Sequence, residues 1–192
     1  MQREDYGDAA PSWCVRTEPP ESVAMYELHE NEQYFFDQTT VNRLADFVIE
    51  NNFALPCCLC CPLLGRELVA RGVETRILDV DERFADVPGF QPYDLYRPRW
   101  TGEKYGIIIC DPPFFKVSLA QLFGAVRVLA QHDFAQLLML FYLSRRAVNV
   151  SGTFARFDLR AMGWQPGYQT VQQVERNQIE AFSNFPVSLQ LS

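Results

Sequence analysis

The chain has 192 residues, 48% hydrophobic and 21% charged, enough apolar material for one globular domain with a sizeable core. Ten Gly and twelve Pro are too few for a fibrous or low-complexity chain, and no apolar run reaches the roughly 18 residues that cross a bilayer, so a soluble protein with no membrane association is expected. The net charge of −7 is uneven, with −5 on residues 1–30, −6 on 31–96 and +4 on 97–192; a second half that faces a polyanion produces this pattern, and so does a scatter of solvated Arg.

Met1 to Ala10 carries acidic residues where a secretory leader needs a basic start and an apolar middle, so export is not expected and a cytoplasmic protein with six reduced Cys is. Residues 1–32 combine charge with Pro11, Pro19 and Pro20 and show few periodic apolar positions. They read as a flexible acidic arm ahead of a folded domain over 33–192, with Trp13 and Tyr26 available as anchors. Val41, Leu44, Ala45, Val48 and Ile49 then fall at helical spacing and predict a helix over 39–51, capped by Asp37 or Thr39. Phe53 to Cys61 is an apolar run of strand length, and Leu64, Leu68 and Val69 follow on a helix that Gly72 stops. Val73 to Val80 predicts a second buried strand, and a short strand is expected near 90–95 inside an otherwise loop-like 82–105. Three consecutive Ile make Gly106 to Cys110 the clearest strand. Ser118 caps a helix through Leu119, Leu122, Phe123, Val126, Leu129 and Ala130, and Ala135 to Leu143 supplies another strand. Alternating strands and helices imply an α/β fold with a mainly parallel sheet covered on both faces. Stretches 168–174 and 179–189 read as an antiparallel hairpin closing it.

In such a sheet, ligands bind at the carboxyl ends of the strands, and two acidic features stand there. Asp79 and Asp81 end one strand, where a carboxylate can accept hydrogen bonds from ribose hydroxyls or can be a solvated turn. Asp111, Pro112, Pro113 and Phe114 end another. Two prolines remove two amide donors and fix φ, so the strand stops and its carbonyls stand unpaired. A carboxylate and a free carbonyl are two acceptors that can grip an amino group and aim its lone pair, while Phe114 offers a flat surface for a base or an alkylammonium stem. That geometry suits methyl transfer to nitrogen.

The run Asp111-Pro112-Pro113-Phe114 after Gly106 to Cys110 resembles the Asp/Asn-Pro-Pro-Phe/Tyr motif of S-adenosylmethionine-dependent amino-methyltransferases on the Rossmann-like, seven-stranded fold. With Gln33 to Phe36, Leu78 to Phe84 and Tyr93-Asp94, the chain is similar to the probable N6-adenine methyltransferase family over roughly five-sixths of its length. That family includes enzymes acting on adenine in ribosomal RNA and on elongation-factor lysines. The resemblance implies a methyltransferase domain over 33–192 that uses S-adenosylmethionine. Asp111, Pro112, Pro113 and Phe114 grip the target amine, Asp79 or Asp81 holds the cofactor ribose, Asp94 lies near its adenine, and Gln33, Phe35, Phe36 and Pro62 shape the pocket. The expected acceptor is the N6 amine of adenine in RNA or DNA, with a protein lysine as the alternative. Where most such folds carry a Gly-rich loop, this chain has Cys60-Cys61-Pro62-Leu63-Leu64-Gly65, which admits a third reading, a noncatalytic binding partner.

Cys57, Cys58, Cys60 and Cys61 on one strand would alternate between faces and could not converge on one tetrahedral ion, so buried thiols and no metal site are expected. No Gly-x-Ser-x-Gly elbow or Walker loop occurs. Trp100, Trp164 and Tyr168 suit either base stacking or packing, and Arg145-Arg146 either a phosphate contact or a loop start.

Overall fold

In the computed structural model, which describes residues 26–29, 32–171 and 178–186, helix α1 runs Gln38–Glu50 and begins where Asp37 Oδ1 accepts from the Thr40 N–H at 2.7 Å. Of the two expected caps, Asp37 is the one used; it satisfies an amide that a helix N-terminus otherwise leaves without a partner. Strands β1 (Cys57–Leu59), β2 (Arg76–Asp79), β3 (Phe90–Pro92), β4 (Ile108–Cys110) and β5 (Leu138–Leu143) pair in parallel. Strand β7 (Ile179–Ser183) pairs antiparallel with β5, and β6 (Arg160–Ala161) pairs antiparallel with β7. The seven-stranded order is β3-β2-β1-β4-β5-β7-β6. The chain winds outward from β1 through β2 and β3, then returns to place β4 on the other flank of β1. That reversal opens a crevice at the carboxyl ends of β1 and β4.

Helices α2 (Pro62–Ala70), α3 (Leu119–Leu129) and α4 (Ala147–Thr153) connect the strands. Ser118 and Gln121 close a capping box at the start of α3, as its spacing predicts. Gly65 on α2 lets that helix press onto β2, since a Cβ there would lie 2.4 Å from Ile77 Cγ1. Gly89 is more constrained still, with φ +85° and a would-be Cβ 1.9 Å from the Thr75 carbonyl oxygen, while its own carbonyl accepts from the Ile77 N–H at 3.0 Å. Gly89→Ala combines a strained φ with a backbone clash that no rotamer relieves, so a loss of about 3 kcal/mol is expected in urea unfolding.

Each parallel strand is shorter than the apolar run that predicts it. Phe53 to Cys61 yields only Cys57–Leu59, because a run buried on both faces has no periodicity to mark where pairing begins. Cys60 adopts φ +59° and turns the chain away, so the four thiols do not share a strand. Cys61 caps α2 and its Sγ donates to the Ile109 carbonyl at 3.4 Å. Among the described residues no group of three His, Cys, Asp or Glu could hold a metal ion.

The C-terminal antiparallel pair is present, but its first strand is Arg160–Ala161 and not 168–174. Tyr168 instead makes one isolated bridge with Phe36, and 172–177 lie outside the described residues. Expected strand 179–189 is Ile179–Ser183, with 187–189 outside the described residues. Helix α4 has no sequence signal: it is one of weak helix formers (Ala-Val-Asn-Val-Ser-Gly-Thr), and it buries Val150 while Val148 stands 86% exposed.

Of the expected arm, 1–25, 30 and 31 lie outside the described residues, Trp13 among them. Glu27 Oε1 accepts from the Phe35 N–H at 2.8 Å, and the Tyr26 carbonyl accepts from Arg83 Nη1 at 3.0 Å. Residues 26–29 and 32 thus contact the domain. Among the described residues no helix is long and apolar enough to cross a membrane.

Candidate active site

A cavity of about 550 Å³ opens at the crevice between β1 and β4, within the size range of cofactor sites. Asp79, Asp81 and Asp94 line one side; Asp111, Pro112, Pro113 and Phe114 line the other, and Gln33 and Phe35 reach in from the segment before α1. Sheet topology therefore gathers acids that are far apart in sequence.

On the first side the two acids at the end of β2, Asp79 and Asp81, have different surroundings. Asp79, the last residue of β2, is buried, and its Oδ1 accepts from the Asp81 N–H at 2.9 Å. Burial pushes its carboxyl up to about 6, against the hydrogen bond from Asp81. Asp81 is occupied structurally: Arg83 Nη2 and Gln33 Nε2 each donate to its Oδ2 at 2.7 Å, and Oδ1 caps the turn at Arg83 N. Burial pushes its carboxyl up, but these bonds outweigh it and hold it below the ordinary carboxylate range. Gln33 Oε1 also accepts from Arg83 Nη2 at 2.7 Å. Asp81, Arg83 and Gln33 are therefore a brace, and Asp79 is the acid presented without an ion pair among the described residues.

On the second side, Asp111 follows β4 directly and its N–H donates to the Leu59 carbonyl at 3.1 Å. Its carboxyl is buried, and burial holds it well above the usual range although Tyr168 Oη donates to Oδ1 at 2.8 Å. The expectation of unpaired carbonyls holds for one proline of the pair. Pro113 O accepts from the Val117 N–H at 3.0 Å, whereas the Pro112 carbonyl has no such bond among the described residues. Phe114 is half-buried, its ring edge-on to Tyr142 with centroids 5.2 Å apart. Glu32 Oε2 accepts from the N–H groups of Phe115 and Lys116 at 3.2 and 3.0 Å and so ties down the turn after the prolines.

Two expected pocket residues lie off the cavity wall. Phe36 is buried behind it, 5.0 Å from the Phe141 ring and 5.2 Å from Tyr168, because adjacent residues of an extended segment point to opposite sides and Phe35 takes the cavity side. Pro62 is the buried first residue of α2, where its missing N–H costs no hydrogen bond. Cys60 lines the cavity in the left-handed conformation that a Gly would adopt at no steric cost. Trp164 is buried against Phe141, Trp100 is exposed, and Arg145 and Arg146 form an exposed turn after β5. Glu32 and Arg83 are not singled out by the sequence, and Tyr168, a candidate there for base stacking or packing, gives its hydroxyl to Asp111 instead. Arg83 had a signal, two positions from Asp81; Tyr168 and Glu32 meet the tetrad only through the fold.

The model of the probable N6-adenine methyltransferase family matches residues 27–187. The chain belongs to this family. No curated protein matches it. Among solved structures, it is similar to a magnesium protoporphyrin IX methyltransferase from Synechocystis PCC 6803 with bound S-adenosylmethionine, at 15% identity and TM-score 0.54 over 76% of this chain and 78% of that one. It is also similar to an S-adenosylmethionine-dependent methyltransferase from Clostridium acetobutylicum ATCC 824, at 9% identity and TM-score 0.52 over 77% and 91%. At such identities the likeness is one of fold: this member of the probable N6-adenine methyltransferase family has the Rossmann-like methyltransferase architecture.

Proposed function

We propose that this chain transfers a methyl group from S-adenosylmethionine to an amino nitrogen, the N6 of an adenine in RNA or DNA. The observation that carries the reading is Asp111 beside the Pro112 carbonyl, facing across one cavity from the buried acid of β2. The residues present fit the cofactor. Asp79 offers a carboxylate for ribose hydroxyls, Asp94 stands on the same wall for the cofactor's adenine, and Phe35 and Leu95 supply apolar surface. Cys60 takes the left-handed conformation of a Gly, so the turn after β1 is tight without one, which supports a cofactor-binding site over a noncatalytic partner.

The cofactor supplies an electrophilic methyl on a sulfonium. Asp111 Oδ2 and the Pro112 carbonyl accept the two N–H bonds of the amine and so direct its lone pair along the transfer line. Asp111 would offset the positive charge that the amine nitrogen gains on accepting the methyl and would take one proton from it, to be released to solvent. Phe114 gives a planar base an aromatic surface beside these acceptors. The family description and the net +4 of residues 97–192 favour a nucleic acid as acceptor.

The test is incubation with tritiated S-adenosylmethionine and cell extract, separated into RNA, DNA and protein, with Asp111→Ala as control. Label in a nucleic acid that digests to N6-methyladenosine and disappears with the variant is expected. Label in protein alone would reassign the acceptor to lysine, and no label with no cofactor binding would leave a binding partner.

A further inference from the structure

The carboxylate that receives the amine does not stand alone, and its partner comes from a part of the chain outside the tetrad. Tyr168 Oη lies 2.8 Å from Asp111 Oδ1, and both residues are 8% exposed. We infer that Tyr168 is a positioning residue of the transfer site, its hydroxyl holding Oδ1 so that Oδ2 is the oxygen left to receive the amine. This rests on the reading of Asp111 as the amine acceptor.

The surroundings of Tyr168 are built to hold one hydroxyl position. Its backbone bridges Phe36, and the Gln169 N–H donates to the Phe35 carbonyl at 2.9 Å. The Phe36 ring packs on its own at 5.2 Å, which is the job that side chain does behind the cavity wall. Gly167 N–H donates to Thr40 Oγ1 at 2.7 Å, and its carbonyl accepts from the Asp37 N–H at 2.9 Å. A Cβ on Gly167 would fall 2.1 Å from Asp37 Oδ2, so the residue before Tyr168 must be Gly for this approach. The N-cap of α1 and the segment before it thus clamp Tyr168 on both sides.

The hydroxyl has electrostatic work as well. Among the described residues, the other titratable groups that interact with Asp111 are the thiols of Cys60, Cys61 and Cys110, all driven toward their neutral form by burial. No cation is among these groups, so Tyr168 is the partner that favours the ionised carboxylate. Burial and the neighbouring Asp111 push the phenol well above its ordinary value, and it stays a donor across the working pH range. An ionised Asp111 accepts hydrogen bonds from an amine through Oδ2; a protonated one loses half of that capacity. Removing the hydroxyl therefore raises the carboxyl pKa further and moves the acid limb of the rate profile to higher pH.

The experiment follows the carboxyl band of protonated Asp111 by infrared difference spectroscopy against pH, assigned by its loss in Asp111→Asn, in the full chain and in Tyr168→Phe. The expected result is a titration midpoint at higher pH in Tyr168→Phe, a kcat about tenfold lower near neutrality that recovers as pH rises, and an unchanged dissociation constant for S-adenosylmethionine. Fluorotyrosine incorporated at 168 keeps the shape and makes the phenol a stronger donor, so the midpoint moves the opposite way; this covers a Tyr168→Phe chain that does not fold. An unmoved midpoint in both proteins overturns the inference, and so does a kcat loss that is uniform in pH. A midpoint that moves in a protein transferring no methyl to any fraction supports the Tyr168 contact and removes the amine reading instead.

Discussion

Asp111→Asn is expected to lower kcat by about 10³-fold while changing the affinity for S-adenosylmethionine by less than about twofold. The amide is nearly the shape of the carboxyl, so the cavity is kept. What changes is polarity: an NH2 group replaces an acceptor at one oxygen, and no negative charge remains to offset the cation developing on nitrogen. Stability should move the other way. Asp111 is held well above the ordinary carboxylate value in the folded chain, so between the ordinary value and the raised one the unfolded chain has released a proton that the folded chain keeps. Folding stability therefore falls as pH rises through that window. At neutral pH this raised, buried carboxyl opposes folding, and Asn removes that cost. Turnover assays, titration calorimetry and urea unfolding at pH 7 together check the pattern of lower rate, equal cofactor binding and equal or higher stability. Loss of cofactor affinity in step with kcat would move Asp111 to the cofactor half of the site.

Asp79→Asn is expected to weaken S-adenosylmethionine binding by about fiftyfold, the worth of two hydrogen bonds to a charged acceptor. Asp79 titrates at about 6, and ribose hydroxyls are held best by the ionised form. Wild-type affinity should then be nearly constant above pH 7 and about tenfold weaker at pH 5. The charged groups facing it, Asp81 and Arg83, do not produce this dependence: Asp81 is held below the ordinary carboxylate range and the guanidinium is held charged by it. Asp79→Asn should flatten the profile. The same burial opposes folding at neutral pH by about 3 kcal/mol, the cost of raising one carboxyl from 3.8 to about 6. The variant should gain part of that in urea unfolding. Calorimetry at pH 5, 6, 7 and 8 decides the assignment; a slope that persists in Asp79→Asn would place the ribose on another group.

Much of this was legible locally. Periodic apolar spacing marks α1 and α3, and the caps at Asp37 and Ser118 stand where hydrogen-bonding side chains precede those stripes. The central strands are buried on both faces and show as apolar runs, though such runs overstate their length at both ends. Asp79 and the Asp111 tetrad could be placed at strand ends because proline and a charged residue each terminate a buried strand. Alternation of strand and helix then implied that all of these ends share one edge of the sheet.

Helices α1 and α3, the central parallel strands and the tetrad's place at a strand end are legible because each depends on residues within a few positions of one another. How the acids differ is set by the fold. Asp81 is paired by Gln33, 48 positions away, while Asp79 stays buried without an ion pair. Asp111 receives its hydroxyl from Tyr168, 57 positions away, Phe36 is turned behind the wall, and β7 lies between β5 and β6 rather than at the edge. Each of these is set by strand order and register, which bring distant side chains within 3 Å or keep them apart. Such contacts leave no period or spacing along the chain, because their partners are chosen by the packing of the whole sheet.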